Sequence, residues 1–263
     1  MVGLWLYEDQ TKMPNIIAVL NQKGGVGKTT TAINLAAYLA KAGHSVLIAD
    51  LDPQGNSTSG LGLNKQNLSS TLYDVLFSRA TPADTIQKIN NNLAILPSNA
   101  DLAGAEVELV SAAGRETHLR RALAGLDYDY ILIDCPPSLG LLTVNALTAA
   151  HSVLIPVQAE YYALEGLSQL LSVIQQVRAA LNPGLDIIGV LITLYDSRNS
   201  LSEQVKKELE SYFGAKLFET VVPRNVRLAE APSFGRTIIE HDRWSKGARA
   251  YKSLAKEVEK RTL

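Results

Sequence analysis

Three glycines and two lysines fall within the six residues Lys23-Gly24-Gly25-Val26-Gly27-Lys28, and Thr29-Thr30 follows directly. Glycines at this density let main-chain N–H groups turn inward, and the lysines add positive charge, so the segment suits a polyphosphate. An apolar run, Ile16 to Leu20, leads into it, and a helix-length amphipathic segment, Thr29 to Ala42, leads out. In that setting the first helical turn adds positive potential, Lys28 reaches the β and γ phosphates of a nucleoside triphosphate, and the Thr29 hydroxyl is offered to Mg²⁺. The segment departs from the general G-x-x-x-x-G-K-[ST] pattern at its first glycine, which is Gln22 here, with Lys23 next. Beside a phosphate cradle, Lys23 reads as a second phosphate-facing cation.

Two carboxylate-bearing strand ends complete the chemistry. The run ending in Asp50-Leu51-Asp52-Pro53-Gln54-Gly55-Asn56 places two acids where a strand gives way to a loop. A carboxylate there either orients water for in-line attack on a γ-phosphate or supports the metal shell, or else it caps the turn before Pro53. Asp52 reads as the functional member, and Asp50 stands equally between the two roles. A further run, Ile131-Leu132-Ile133-Asp134-Cys135-Pro136-Pro137, ends in Asp134, the position of an aspartate that holds Mg²⁺ directly or through water. Cys135 reads as a small packing residue, since no neighbouring histidine would activate it. The four histidines, His44, His118, His151 and His241, lack ligand spacing and read as surface or core residues.

These residues need a scaffold that brings strand ends together. Apolar, β-rich runs recur at Ile16 to Leu20, Ser45 to Ala49, Leu93 to Leu96, Tyr130 to Ile133, Ser152 to Val157, Ile187 to Thr193 and Leu217 to Val222. Helix-length segments lie between most of them, among them Leu139 to Ala150, Tyr161 to Leu181 and Leu201 to Phe213. This alternation predicts βαβ units and a mostly parallel, twisted sheet with helices on both faces, whose ligands sit at the carboxyl ends of the strands. A chain of 263 residues, 46% hydrophobic, suits one such α/β domain.

A single cysteine excludes an internal disulfide and fits a reducing compartment, so a cytoplasmic location is expected. Residues 1–13 carry Glu8 and Asp9 where an export signal would be basic, and read as a disordered extension or a mis-assigned start ahead of a domain over residues 14–263. No charged residue occurs from Cys135 to Ala159, yet Pro136, Pro137, Asn145, His151 and Pro156 interrupt the stretch, which reads as a buried helix and strand rather than a membrane span. The closing segment, Ser245 to Arg261, carries Ala248, Tyr251, Leu254, Ala255 and Val258 on one stripe, suited to core packing more than to a membrane surface. Residues 196–263 hold 14 Lys/Arg against 10 Asp/Glu, a net of plus four, while residues 1–195 hold 11 against 16, a net of minus five. Basic charge is therefore concentrated late in the chain.

The glycine-lysine segment, Asp50-Leu51-Asp52-Pro53-Gln54-Gly55-Asn56, Asp134-Cys135-Pro136-Pro137 and Val222-Pro223-Arg224-Asn225-Val226-Arg227-Leu228-Ala229-Glu230-Ala231-Pro232-Ser233, taken together and in order, resemble the ParA/Soj chromosome-partitioning ATPases. These belong to the deviant-Walker-A group of P-loop NTPases that also contains MinD, and the resemblance runs from about Asn15 to the end of the chain. It implies Mg²⁺-dependent hydrolysis of ATP to ADP and phosphate within a nucleotide-sandwich homodimer, in which Lys23 reaches the partner's ATP. Gly24, Gly25, Val26 and Gly27 would form the cradle, Lys28, Thr29 and Thr30 would hold phosphates and Mg²⁺, Asp52 would govern hydrolysis, Asp134 would lie in the second switch, and the segment from Pro223 to Asn225 would contact adenine.

The resemblance further implies ATP-dependent binding to double-stranded DNA without sequence preference, and release by a ParB-like activator that stimulates hydrolysis. The late basic excess gives DNA phosphates a counterpart, with Arg198, Arg227, Arg236, Lys246 and Arg249 as candidates that read equally well as solvated surface charge. A nucleoid-associated protein is then expected, without a membrane partner. The alternatives are a membrane-associated positioning ATPase of the MinD kind, a relative that positions a protein cargo on the nucleoid, and a reductase-component or cluster-carrier ATPase, which would want bridging cysteines.

Overall fold

The apolar runs singled out above all form strands in the computed structural model, which describes residues 13–160 and 165–263. The strands are β1 (Asn15–Val19), β2 (Val46–Asp50), β3 (Gln87–Lys88), β4 (Leu93–Leu96), β5 (Tyr130–Asp134), β6 (Ser152–Gln158), β7 (Asp186–Tyr195) and β8 (Leu217–Pro223). The helices are α1 (Lys28–Lys41), α2 (Asn56–Gly60), α3 (Leu72–Leu76), α4 (Pro82–Thr85), α5 (Ala103–Ser111), α6 (His118–Leu123), α7 (Leu141–Ala149), α8 (Glu165–Ala180), α9 (Ser200–Phe213), α10 (Val226–Glu230), α11 (Ile238–Asp242) and α12 (Lys246–Thr262). The extension expected over residues 1–13 lies, apart from Met13, outside the described residues.

Among the described residues the strands form one sheet in the order β3-β4-β2-β5-β1-β6-β7-β8. All pairings are parallel except β3 with β4. Sequence reading missed β3, because two polar residues, Gln87 and Lys88, carry no alternation of apolar and polar positions. From β1 the chain crosses to β2 and β4, returns to β5 beside β1, and then builds β6, β7 and β8 on the other side. The reversal falls at the centre, and it opens a crevice at the carboxyl ends of β1 and β5 where α/β sheets take ligands.

The strands of the centre are buried on both faces, which is why they read as continuous apolar runs rather than alternating ones. On one face α1 and α12 pack together over Ile17, Val19, Ile48 and Leu132; on the other, α3 and α5 to α9 cover Ala18, Leu47, Ile131 and Ile133. The stripe expected on the closing helix, Ala248, Tyr251, Leu254, Ala255 and Val258, is buried in the first of these layers. Each of its larger members contributes about 1.5–3 kcal/mol by leaving water. The Tyr251 and Thr31 hydroxyls bond at 3.1 Å, which satisfies both polar groups inside the apolar layer and ties α12 to α1. Among the described residues no helix is long and apolar enough to cross a membrane. The uncharged stretch after Cys135 divides instead into α7 and β6.

Candidate functional site

The glycine loop joins the end of β1 to α1 and is held from two strands. The Asn21 side-chain amide donates to the Pro156 carbonyl of β6 at 2.7 Å, while its Oδ1 accepts the Lys23 N–H at 2.9 Å. From β7, the buried Thr193 hydroxyl donates to the Val26 carbonyl at 2.8 Å. Gly25 and Gly27 have φ of +75° and +87°, a region that side-chain-bearing residues enter at a cost of about 1–2 kcal/mol. Gly27 caps α1 without a side-chain acceptor, so the N–H groups of its first turn face the loop. A Cβ at Gly24 or Gly25 would meet nothing within 4 Å, so open space lies over the cradle.

Lys28 opens α1 with only 7% of its surface exposed, and its Nζ donates to the Lys23 carbonyl at 3.1 Å. Burial lowers its pKa from the ordinary lysine value, and Asp134, Cys135 and Asp52 pull it back up. Those opposing influences place the ammonium among the carboxylates at the strand ends. Asp50 and Asp134 are register partners on β2 and β5, and both are fully buried. Burial, together with the neighbouring Asp134, pushes the Asp50 carboxyl up to about 7. Asp134 rises to about 6 through burial, opposed by the Ser57 and Thr29 hydroxyls.

The two acids differ in their partners. Asp50 Oδ2 accepts the Thr58 N–H at 2.8 Å and the Thr58 hydroxyl at 2.7 Å, and Oδ1 accepts the Asp52 N–H at 3.3 Å. All of these partners belong to the turn after β2, an arrangement that fits the turn-holding reading of Asp50. Asp134 Oδ2 accepts the Ser57 hydroxyl at 2.8 Å, whereas its buried Oδ1 has no protein partner. An unpartnered carboxylate oxygen is costly to bury, and this one lies where the Thr29 hydroxyl acts on the same group. Two hard oxygen donors beside a phosphate cradle fit a magnesium ion. Asp52 is nearly buried, and its Oδ1 accepts the Gln54 N–H at 2.9 Å.

Ser57, Thr58 and Ser98 escaped sequence reading, although hydroxyl residues directly after Asp-Pro-Gln-Gly-Asn were a usable signal for a hydrogen-bonded turn. Ser98 donates its hydroxyl to the Asp52 carbonyl at 3.0 Å and its N–H to the Thr58 hydroxyl at 2.9 Å. The loop of Asp52 is thus clamped against the segment after β4. Gly55 sits inside the clamp at φ +58°, where an added Cβ would approach the Ser98 carbonyl oxygen to 2.7 Å. Gly55→Ala is expected to lower stability by about 1–3 kcal/mol, read from the urea midpoint at unchanged m-value; an unchanged midpoint contradicts the clamp.

Lys23, at 56% side-chain exposure, pairs with Glu160 at 2.5 Å, just past the end of β6. Glu160 had no motif to mark it. At the far side of the same edge, Pro223 ends β8 opposite Tyr195 of β7, and Asn225 caps α10 by accepting the Leu228 N–H at 3.3 Å. Thr30, at the first turn of α1, accepts the Asn34 amide at 2.8 Å.

Three of the five basic candidates, Arg198, Lys246 and Arg249, line one open groove of about 1060 Å³ between the β7–α9 loop and α12. Arg224 joins them there and was missed, although it lies inside the Pro223 to Asn225 motif. Arg198 grips Asp196 through Nε at 2.9 Å and Nη2 at 2.8 Å, which holds the Asp196 carboxyl down at about 2. Arg227 and Arg236 do not line this groove. Arg227 pairs with Glu230 at 2.9 Å and Asp242 at 3.6 Å, and Arg236 is exposed elsewhere.

A glycine cradle with a buried lysine, flanked by strand-end carboxylates at the centre of a parallel sheet, defines a P-loop nucleoside-triphosphate-binding protein. Residues 14–187 match the family described as AAA domain. The sporulation initiation inhibitor protein Soj of Bacillus subtilis (strain 168) is 56% identical over 249 residues, which cover 94% of this chain and 98% of that protein. The chromosome partitioning protein ParA of Caulobacter vibrioides (strain NA1000 / CB15N) is 52% identical, with 92% of this chain and 93% of that protein covered. Among solved structures, a cobyrinic acid a,c-diamide synthase from Mycobacterium smegmatis with bound ADP and magnesium superposes with a TM-score of 0.82 at 41% identity, covering 93% of each chain. The chain belongs to the Soj/ParA family of chromosome-partitioning ATPases.

Proposed function

We propose that the chain is an ATP-driven switch for partitioning a chromosome or plasmid, in which Mg-ATP assembles a DNA-binding homodimer and hydrolysis disassembles it. The observation that carries this reading is the convergence of buried Lys28, the partnerless Asp134 Oδ1 and the open cradle of Gly24 to Gly27, with Lys23 exposed beside them. The main-chain amides of the loop and the Lys28 ammonium bind the β and γ phosphates, and Thr29 and Asp134 hold magnesium, which neutralises charge developing on the phosphates. Asp52 orients the attacking water, and its clamped loop limits where that water can sit. Lys23 leaves Glu160 for the partner subunit's triphosphate, so the terminal phosphate stabilises the dimer. Pro223 and Asn225 border the adenine.

The groove of Arg198, Arg224, Lys246 and Arg249 then binds double-stranded DNA through phosphates, without base readout. A protomer with few contacts binds weakly; two protomers held together double the contacts and raise the effective concentration of the second set. A ParB-like activator that stimulates hydrolysis returns the protein to monomers, and the working location is the cytoplasmic nucleoid. Burial of the apolar stripe of α12 favours this reading over a MinD-like membrane tail.

Co-sedimentation with duplex DNA, with and without Mg-ATP and with added anionic liposomes, tests it. Retention is expected only with Mg-ATP and DNA, and up to eight phosphate contacts per dimer imply a loss on the order of 10³–10⁵ in affinity between 50 and 200 mM salt. Equal retention of the apo and ATP-bound protein, or capture by liposomes instead of DNA, contradicts it.

A further inference from the structure

A second basic hollow, of about 520 Å³, lies where the C-terminal end of α1 meets α12. α1 is 14 residues long and starts at the phosphate loop, so this end stands about 20 Å further along its axis. The hollow also uses a different face of α12 from the Arg249 groove, presenting Lys252 and Lys256 with Lys41 and Arg243 around them. Four cations line it, Lys41, Arg243, Lys252 and Lys256, against one carboxylate, Glu259, which also bonds His44 at 2.8 Å, so positive charge is in excess.

Beside these charges stands Trp244, 76% exposed, with the Arg243 guanidinium over its ring at 5.0 Å from the centroid. A tryptophan is usually well buried, and this one contributes little to the core. The ligand that answers both features carries a flat aromatic group for the ring and anionic groups for the lysines. Buried Tyr38 and Ala255 give the hollow an apolar floor on which such a group can rest. A lipid surface answers them less well, because α12 turns Tyr251, Leu254 and Val258 inward and, among the residues lining the hollow, only Trp244 presents a large exposed apolar group.

We infer that this hollow is a nucleotide site separate from the phosphate loop, with a base stacked on Trp244 and phosphate held by Lys41, Lys252 and Lys256. A free mononucleotide and an unpaired base of a single strand share this chemistry. The inference does not rest on the partitioning reading, and its failure leaves that reading intact.

The test uses a Trp5→Phe/Lys28→Ala double variant of the full chain, in which Trp244 is the sole tryptophan and the phosphate loop is disabled. Its emission is followed against dAMP, a short oligothymidylate, a duplex of the same length, and vesicles of phosphatidylglycerol with phosphatidylcholine. Quenching by dAMP and oligothymidylate assigns the site to free nucleotides, and quenching by oligothymidylate alone assigns it to single-stranded nucleic acid. Anisotropy of the responding probe, fluorescently labelled, is then expected to show about tenfold weaker binding for Trp244→Ala, with most of the loss restored by Trp244→Phe. Trp244 is exposed, so these changes leave the core intact. Absence of quenching by dAMP and oligothymidylate, a response confined to duplex or vesicles, or an unaltered affinity in Trp244→Ala overturns the inference.

Discussion

Lys28→Ala is expected to weaken Mg-ATP binding by at least about 30-fold while the protein stays folded. The ammonium is buried among Asp134, Cys135 and Asp52, and among the described residues its acceptor is a carbonyl of its own loop, Lys23 O at 3.1 Å. Removing it deletes a charge-assisted contact to phosphate in a desolvated position, a loss of roughly 2–5 kcal/mol, or about 30-fold to several thousand-fold in affinity. The effect on the fold is smaller, because the same burial that lowers the lysine's pKa is a cost the alanine variant no longer carries. Calorimetry with Mg-ATP reads the first effect, and a thermal melt of the apo protein reads the second. A variant that binds Mg-ATP within about tenfold of the parent, a difference of 1.4 kcal/mol, removes Lys28 from the site.

Asp52→Ala is expected to separate binding from hydrolysis. The carboxylate sits at the strand end with Lys28 and Asp134, yet its own hydrogen bond, to Gln54 N–H, is local to the turn. On the proposed role of Asp52, losing the group that positions water is expected to lower turnover by about 10²–10⁴-fold, while the cradle and Lys28 would still hold the nucleotide. With hydrolysis blocked, the ATP-bound dimer accumulates, and light scattering after size exclusion detects it. Asp52→Asn keeps an acceptor for Gln54 N–H and separates loss of the carboxylate from loosening of the turn. An Asp52→Ala protein that turns over at the parent rate, or that stays monomeric at saturating ATP and high protein concentration, removes Asp52 from the switch.

The parts of this site that could be read from sequence were those whose chemistry is local. Gly25 and Gly27 need left-handed backbone, Lys28 must follow them, and Asp134 must end an apolar strand; each requirement leaves a mark within a few residues. The strands were legible for the same reason, since residues buried on both faces give continuous apolar runs. The clamp on the Asp52 loop was not legible, because Ser98 meets Thr58 across 40 residues and a serine is ordinary anywhere. Nor was the division of labour between Asp50 and Asp134, which depends on which oxygen finds a hydroxyl partner in three dimensions. Glu160 and Arg224 stayed hidden as well, because a charge acquires meaning only from what the fold sets beside it.

The sheet order also dictates when the cradle can exist. β1 precedes the other described strands in the chain, yet its neighbours are Tyr130–Asp134 on one side and Ser152–Gln158 on the other. A nascent chain growing at about 5–20 residues per second therefore carries its glycine loop, unsupported, for several seconds before either flank emerges from the ribosome. Nucleotide capture must follow this delayed closure, and until then the half-made chain exposes strand edges to wrong pairing.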